Sequence, residues 1–335
     1  MKLNEREIPL RILQEEALLR NLPKECSKYA EIESDLARRR AGYWGETQLD
    51  YYLRQLPYQN YFILHDLRLP LEDDFFQIDV LILTPRYCLV IESKNFKGVL
   101  FFDGVFDQLI RIQEDLEESF EDPIVQAKNI ILKLKYLLSA YFPDLPFDYL
   151  ISIANPKTII KSNTDKNKKV CHANGIVHKV FSLEKNFHKQ IITPEQILDI
   201  SSYLLKLNTP NNKSILTVFG LSRKDLKNGV FCPRCDEAMF YVKGNFCCKI
   251  CKQVDEKEFL IKVIDYFLLF GPTATNSQLK LFLDIPSRYN TKHFLKKLNF
   301  SLTGQKRYRV YQISGNIRNM ITNPANLLRR TKESK

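Results

Sequence analysis

Residues 77 to 98, Gln77-Ile-Asp-Val-Leu-Ile-Leu-Thr-Pro-Arg-Tyr-Cys-Leu-Val-Ile-Glu-Ser-Lys-Asn-Phe-Lys-Gly98, constrain the fold more than any other stretch. Two apolar runs, Ile78 to Leu83 and Tyr87 to Ile91, flank Thr84-Pro85-Arg86. Proline presets a turn dihedral and cannot sit in a central strand, so the stretch reads as a β-hairpin. Closing Leu83 against Cys88 sets Asp79 opposite Glu92, with side chains about 5 Å apart on one face of the sheet. Lys94 lies two residues beyond Glu92, and the strand's period of two brings it to the same face. Facing carboxylates repel unless a proton or cation sits between them, and Mg2+ takes one or two carboxylates together with phosphate oxygens and waters. Lys94 would neutralise, orient or deprotonate an attacking water. The plainer alternative is a charged hairpin at a sheet edge, with Lys94 merely paired to Glu92.

Further polar residues stand where apolar ones are expected. Glu46 keeps helical register with Leu49, Leu53 and Leu56, which puts a carboxylate on the face that must bury. Asp50, one turn on, reads as solvent-facing, and His65 as a surface or packed histidine. Asp122 reads as the cap of a helix with Pro123 at its first position, and that helix carries Gln126. The ordered set Gly45-Glu46, Gln77-Ile78-Asp79, Ile91-Glu92-Ser93-Lys94-Asn95, Gly98, and Pro123 with Gln126 resembles the NERD domain. This is the nuclease-related domain found mostly in bacterial proteins, and it resembles in turn the PD-(D/E)XK nuclease core. The resemblance implies an α/β, restriction-endonuclease-like mixed sheet flanked by helices, and phosphodiester hydrolysis with Mg2+ or Mn2+. It implies that Asp79 and Glu92 hold the metal, that Lys94 assists the water, and that Glu46 and Gln126 support them. Val80 stands where family members often place histidine.

Five of the eight cysteines crowd into residues 232 to 251. Cys232-Pro-Arg-Cys235 and Cys248-Lys-Ile-Cys251 are two Cys-x2-Cys pairs, a spacing that closes a tetrahedral Zn2+ shell with no open position. Such a site is structural, and Cys247 is a neighbour that could substitute for Cys248. Cys171, His172, His178 and His188 have no compact spacing and read as scattered structural residues.

After the cysteines, Glu256 to Phe270 reads as a helix. Thr275 to Leu298 reads as helix, turn at Ile285-Pro286-Ser287, and second helix, and Phe300 to Ile313 as a basic β-wing. Together they resemble a winged-helix DNA-binding module, with Arg288, Lys292, Lys296, Lys306, Arg307 and Arg309 facing nucleic acid. Elsewhere, Tyr61 to Leu71, Gly98 to Ile112, Asp148 to Ala154 and Gly175 to Phe181 read as strands. Glu114 to Asp122 and residues 161 to 174 read as loops, and Thr193 to Leu207 as a closing helix.

Charge divides the chain. Residues 200 to 335 carry 24 Lys+Arg against 9 Asp+Glu, whereas the remainder carries 26 against 30. A basic C-terminal part is the footprint of a polyanion binder. The organisation expected is an N-terminal helical extension over 1–37, a NERD nuclease-like domain over 38–207, and a zinc ribbon over 226–256. A winged-helix module over 257–314 and a basic frayed tail over 315–335 complete it. The longest apolar stretches fall far short of a membrane span, and the N-terminus has no apolar run, so a cytoplasmic protein without a membrane partner is expected. The function expected is a divalent-metal-dependent endonuclease acting on DNA, with RNA as the other candidate polymer. The alternatives are a catalytically inactive DNA-binding regulatory protein and a protein-interaction scaffold.

Overall fold

The computed structural model describes residues 3–57, 59–139, 141, 144–211, 213–242, 245–254, 256–305 and 309–328. Two compact units emerge: Met1–Arg6 with Arg39–Asn211, and Glu7–Arg38 with Asn212–Lys335. Helices α1 (Leu10–Asn21) and α2 (Tyr29–Leu53) come first, and the unit boundary falls inside α2.

The first unit continues with β1 (Phe62–Leu71), β2 (Asp74–Leu83), β3 (Cys88–Lys94), β4 (Val99–Asp103), β5 (Gln108–Gln113), β6 (Leu116–Glu121) and α3 (Pro123–Leu138). Then follow β7 (Phe147–Ile153), β8 (Ile159–Ser162), β9 (Val170–His172), α4 (Ile176–Glu184) and α5 (Pro194–Leu207). Its main sheet has the order β1-β2-β3-β7-β9; the pairs β1·β2 and β2·β3 are antiparallel, and β3·β7 and β7·β9 are parallel. Both faces are covered. Leu81, Leu83, Cys88 and Val90 pack with Ile124, Ala127 and Ile131 of α3 and Ile197, Ile200 and Leu204 of α5. Val80, Ile82, Leu89 and Ile91 pack with Leu49 and Leu53 of α2 and Ile176, Val177 and Val180 of α4. Burial on both faces is why the hairpin strands read as unbroken apolar runs rather than an alternation. A second sheet, β6-β5-β4-β8, extends the first core through Leu100, Phe102 and Leu109.

Three expectations are corrected here. Glu114 to Asp122 is not a loop: β6 pairs with β5 across a two-residue turn, with Gln113 opposite Leu116. Glu114 and Asp115 both adopt positive φ, 49° and 65°, the conformation of a tight hairpin turn usually taken by Asn and Gly. Gly175 to Phe181 is helical rather than extended, because Ile176, Val177, Val180 and Leu183 bury one helical stripe. Within 161–174, a short 3-10 helix (Asp165–Lys169) and β9 replace the expected loop.

In the second unit, α6 (Ile215–Val218) precedes the hairpin β10 (Phe240–Val242) and β11 (Asn245–Cys247). Then come α7 (Glu256–Phe270), β12 (Thr273–Thr275), α8 (Asn276–Leu283), α9 (Arg288–Leu295), β13 (Phe300–Thr303), β14 (Val310–Ile313) and α10 (Ile317–Thr322). The run α7-β12-α8-α9-β13-β14, with sheet order β12-β14-β13, is the winged-helix succession. One core joins it to the cysteine hairpins and to α1: Leu18 and Leu22, Cys232 and Cys248, Phe246, Phe259, Phe294 and Leu298 are all buried together. The rings of Phe246 and Phe259 stack at 5.4 Å, and both meet Phe294. The frayed tail expected over 315–335 is corrected as far as residue 328, and residues 329–335 lie outside the described residues. α10 buries Met320, Leu327 is fully buried, and Leu298 bridges Leu328.

Candidate active site

The β2·β3 ladder runs from Leu83 opposite Cys88 to Val80 opposite Ile91. Continued by one residue, this register sets Asp79 against Glu92, on the face shared with Leu81 and Val90, where α3 packs. At this point the Ser93 N–H donates to Asp79 Oδ2 at 2.9 Å. Glu92 is buried, 8% exposed, and Lys94 Nζ lies 2.8 Å from Glu92 Oε1. On the other side of β3, Glu92 and Lys94 pair with Ile151 and Ile153 of β7, so their backbones are fixed in the sheet.

A cavity of about 370 Å³ opens here, lined by Asp79, Glu92, Gln126, Gln77, Asn129 and Lys133, together with Glu121 and Ile130. The structure therefore brings Asp79, Glu92 and Gln126 to one space, with Lys94 joined to it through Glu92. Asp122 caps α3 by accepting from the Ile124 N–H at 2.8 Å, which starts the helix one turn before Gln126. Gln126 Nε2 donates to Glu121 Oε2 at 2.7 Å. Asn129 and Lys133 follow Gln126 at helical spacing on the same face, a signal legible in the sequence once Gln126 is singled out.

Glu46 does not line this cavity. Arg6, whose side chain is 3% exposed, contacts Glu46 Oε2 through Nη1 and holds Asp50 Oδ2 through Nε at 2.7 Å. Its Nη2 donates to the Asp79 carbonyl at 2.9 Å. Asp50 is buried rather than solvent-facing, because Arg6 and His65 Nδ1, 3.0 Å from Asp50 Oδ1, supply its partners. His65 is fully buried. Arg6, Asp50 and His65 escape sequence reasoning, since no local spacing links residue 6 to a helix and a strand so far along the chain. Gly45 has a visible role: a Cβ there would lie 2.8 Å from the Asn95 Cβ and 3.2 Å from the Ala154 Cβ. Glycine lets α2 close on the chain just past β3 and β7, where Asn95 Nδ2 donates to the Ala41 carbonyl at 2.7 Å.

The electrostatics follow from burial. It raises the Asp79 carboxyl well above its ordinary value, and Glu92 and Glu46 raise it further against the pull of the Ser93 N–H and Lys94. Burial pushes Glu46 up to about 7 although Arg6 draws it down. Asp50 also feels burial, but its contacts with His65 and Arg6 outweigh it and leave the carboxyl below its ordinary value. Acidic groups held in this way take up a proton or a cation, so the donor set fits a hard divalent ion.

Two other sites lie in the second unit. The Sγ atoms of Cys232, Cys235, Cys248 and Cys251 lie within 4.8 Å of one another, the geometry of a four-thiolate zinc site. Cys248 is the member of the set; the Cys247 Sγ instead faces the Cys248 and Lys252 carbonyls at 3.7 Å. Among the described residues, no second cluster of this kind forms. On α9 and just after it, Arg288, Lys292 and Lys296 are exposed while Phe294 and Leu295 are buried. Arg309, just before β14, is half-buried, and Lys306 and Arg307 lie outside the described residues.

A mixed sheet between helical layers, with an aspartate and a Glu-x-Lys pair on its central hairpin, defines the restriction-endonuclease-like class. Residues 41–154 match the model of the NERD family, the nuclease-related domain. Neither the curated proteins nor the solved structures offer a match to the chain. Among the described residues, no helix is long and apolar enough to cross a membrane.

Proposed function

We propose that the protein is a divalent-metal-dependent endonuclease that hydrolyses phosphodiester bonds in DNA. The observation that carries this reading is the convergence of Asp79, Glu92 and Gln126 on one cavity inside the nuclease-related segment, with Lys94 bound to Glu92. Asp79 and Glu92 would hold Mg2+ or Mn2+, which when bound polarises the scissile phosphate and its attacking water. Lys94, fixed by β7 pairing, presents N–H donors to the water or to a phosphate oxygen. Gln126 orients a phosphate oxygen through its amide, and Glu46 keeps the region acidic enough to favour a cation.

The four-cysteine site takes a structural Zn2+, and Arg288 and Lys292 of α9, with Lys296 just after it, meet the phosphate backbone together with Arg309, just before β14. A basic second unit gathers the polyanion that a cation-requiring acidic cavity repels. The test is incubation of purified protein with plasmid and single-stranded DNA, with Mg2+, with Mn2+ and without added divalent ion. Metal-dependent cleavage supports the proposal. One contact favours a second reading, a DNA-binding regulatory protein that does not cut: the Lys94–Glu92 pair at 2.8 Å satisfies both groups without a substrate. DNA binding without cleavage under any of the three conditions selects that reading.

A further inference from the structure

The residue that organises the polar groups around the hairpin lies outside the segment matched by the nuclease-related family. Arg6 precedes residue 41, where that match begins, yet it belongs to the first unit with the sheet. Its three guanidinium nitrogens reach three residues, with Nη2 shared between the Asp79 carbonyl and Asp50 Oδ1, the latter at 3.3 Å. Nη1 contacts Glu46, Nε holds Asp50 at 2.7 Å, and Nη2 reaches the Asp79 carbonyl at 2.9 Å. Two of these partners sit one turn apart on α2, and the third is the main chain of the strand residue that faces the cavity. The arm that delivers Arg6 is pinned independently: Asn4 Nδ2 donates to the His65 carbonyl and the His65 N–H donates to Asn4 Oδ1, both at 2.7 Å. The Leu3 N–H donates to the Ile63 carbonyl at 3.0 Å.

We propose that Arg6 is a positioning residue of the nuclease site, fixing Glu46 of α2 relative to Asp79 of β2 through one bridging guanidinium. The proposal rests on the nuclease reading of the cavity. A planar fork with donors in fixed directions can serve three acceptors at once, which the single ammonium of lysine cannot do in the same geometry. Arg6 is not among the residues that line the cavity, and its side chain is 3% exposed. It acts through the carboxylate it holds and the strand it anchors, as groups behind metal-binding residues generally do.

The experiment is steady-state cleavage in the full chain, with Mg2+ or Mn2+, of wild type, Arg6→Gln, Arg6→Lys, Glu46→Gln and the Arg6→Gln/Glu46→Gln double variant. Arg6→Gln should lower kcat about 10- to 100-fold with KM for DNA little changed, the range found when a group behind a metal site is removed. Arg6→Lys should recover part of the loss. In the Glu46→Gln background, Arg6→Gln should add little, because both changes break one bridge. Where Arg6→Gln reduces the folded fraction seen by circular dichroism, Arg6→Lys carries the test, and an unchanged kcat in that variant overturns the proposal. So does wild-type cleavage by Arg6→Gln, full additivity in the double variant, or faster cleavage, the sign of an arginine that competes with the metal. A wild-type protein that never cuts removes the nuclease reading and this proposal with it, whereas a cutting wild type with indifferent variants removes this proposal alone.

Discussion

Glu46 shows how one side chain connects fold, stability and chemistry. Its carboxyl is pushed up to about 7 from an ordinary value of 4.5. Between those pH values the folded protein keeps a proton that the unfolded chain has released, so this group's contribution to stability is lost as pH rises towards 7. Asp79 is raised in the same direction. Thermal melts without added Mg2+ should therefore show Glu46→Gln gaining on wild type as pH climbs from about 4.5 to about 7. A gap that stays constant over this range would remove the half-buried Glu46 carboxylate from the explanation. The apolar register around Glu46 was legible in the sequence, since Leu49 and Leu53 repeat at helical spacing and are buried. Its partner was not: the Arg6 contact depends on tertiary placement of an N-terminal arm, and nothing near residue 6 marks it.

At the scale of elements, the site depends on α2 closing on the chain just past β3 and β7. Gly45→Ala places a Cβ against Asn95 and Ala154, neither of them the far end of a flexible side chain. The variant should lose about 1–3 kcal/mol, the usual cost of overpacking, and cleavage should fall with it, because Glu46 is the next residue. Urea denaturation measures the first effect; a variant as stable as wild type would show that α2 can shift freely. The central hairpin was readable because its proline turn and two apolar runs fix the register, and the register then fixes Asp79 against Glu92. The β5·β6 turn was not readable, because Glu114 and Asp115 occupy positive φ where Asn and Gly would announce a hairpin. α4 was misread because a β-branched run looks extended until its buried positions reveal the helical period.

Across the whole molecule, the cysteine hairpins and the winged-helix succession share one core, in which Cys232, Cys248, Phe246, Phe259 and Phe294 are buried together. Sequence spacing identified the four cysteines and the helices but could not show that they bury the same surface. Metal analysis should find one zinc per chain. Cys232→Ser should weaken the whole second unit, with DNA affinity falling alongside the loss of zinc, because that metal organises part of a common core. Unchanged DNA binding by a zinc-free variant would contradict this coupling. Replacing Lys292 and Lys296 together with glutamine should weaken binding and flatten the plot of log affinity against log salt by about 2, roughly one released counterion per lysine. An unaltered slope would take α9 out of the interface.

The measurement closest to the central claim uses Asp79→Asn. Asparagine keeps an oxygen for the Ser93 N–H, now bound at 2.9 Å, and replaces the other oxygen with an uncharged NH2, which removes the charge that Glu92 repels. Thermal melts of wild type and variant, with and without Mg2+, are paired with cleavage of plasmid DNA by the same samples. The metal reading predicts that wild type cuts and gains about 2.7 kcal/mol of stability at an ion concentration 100 times the dissociation constant. It predicts that Asp79→Asn melts at or above metal-free wild type, gains nothing from Mg2+ and does not cut. A variant that cuts as wild type does, or one that melts far below it, would contradict the assignment of Asp79 and Glu92 as the metal-holding pair.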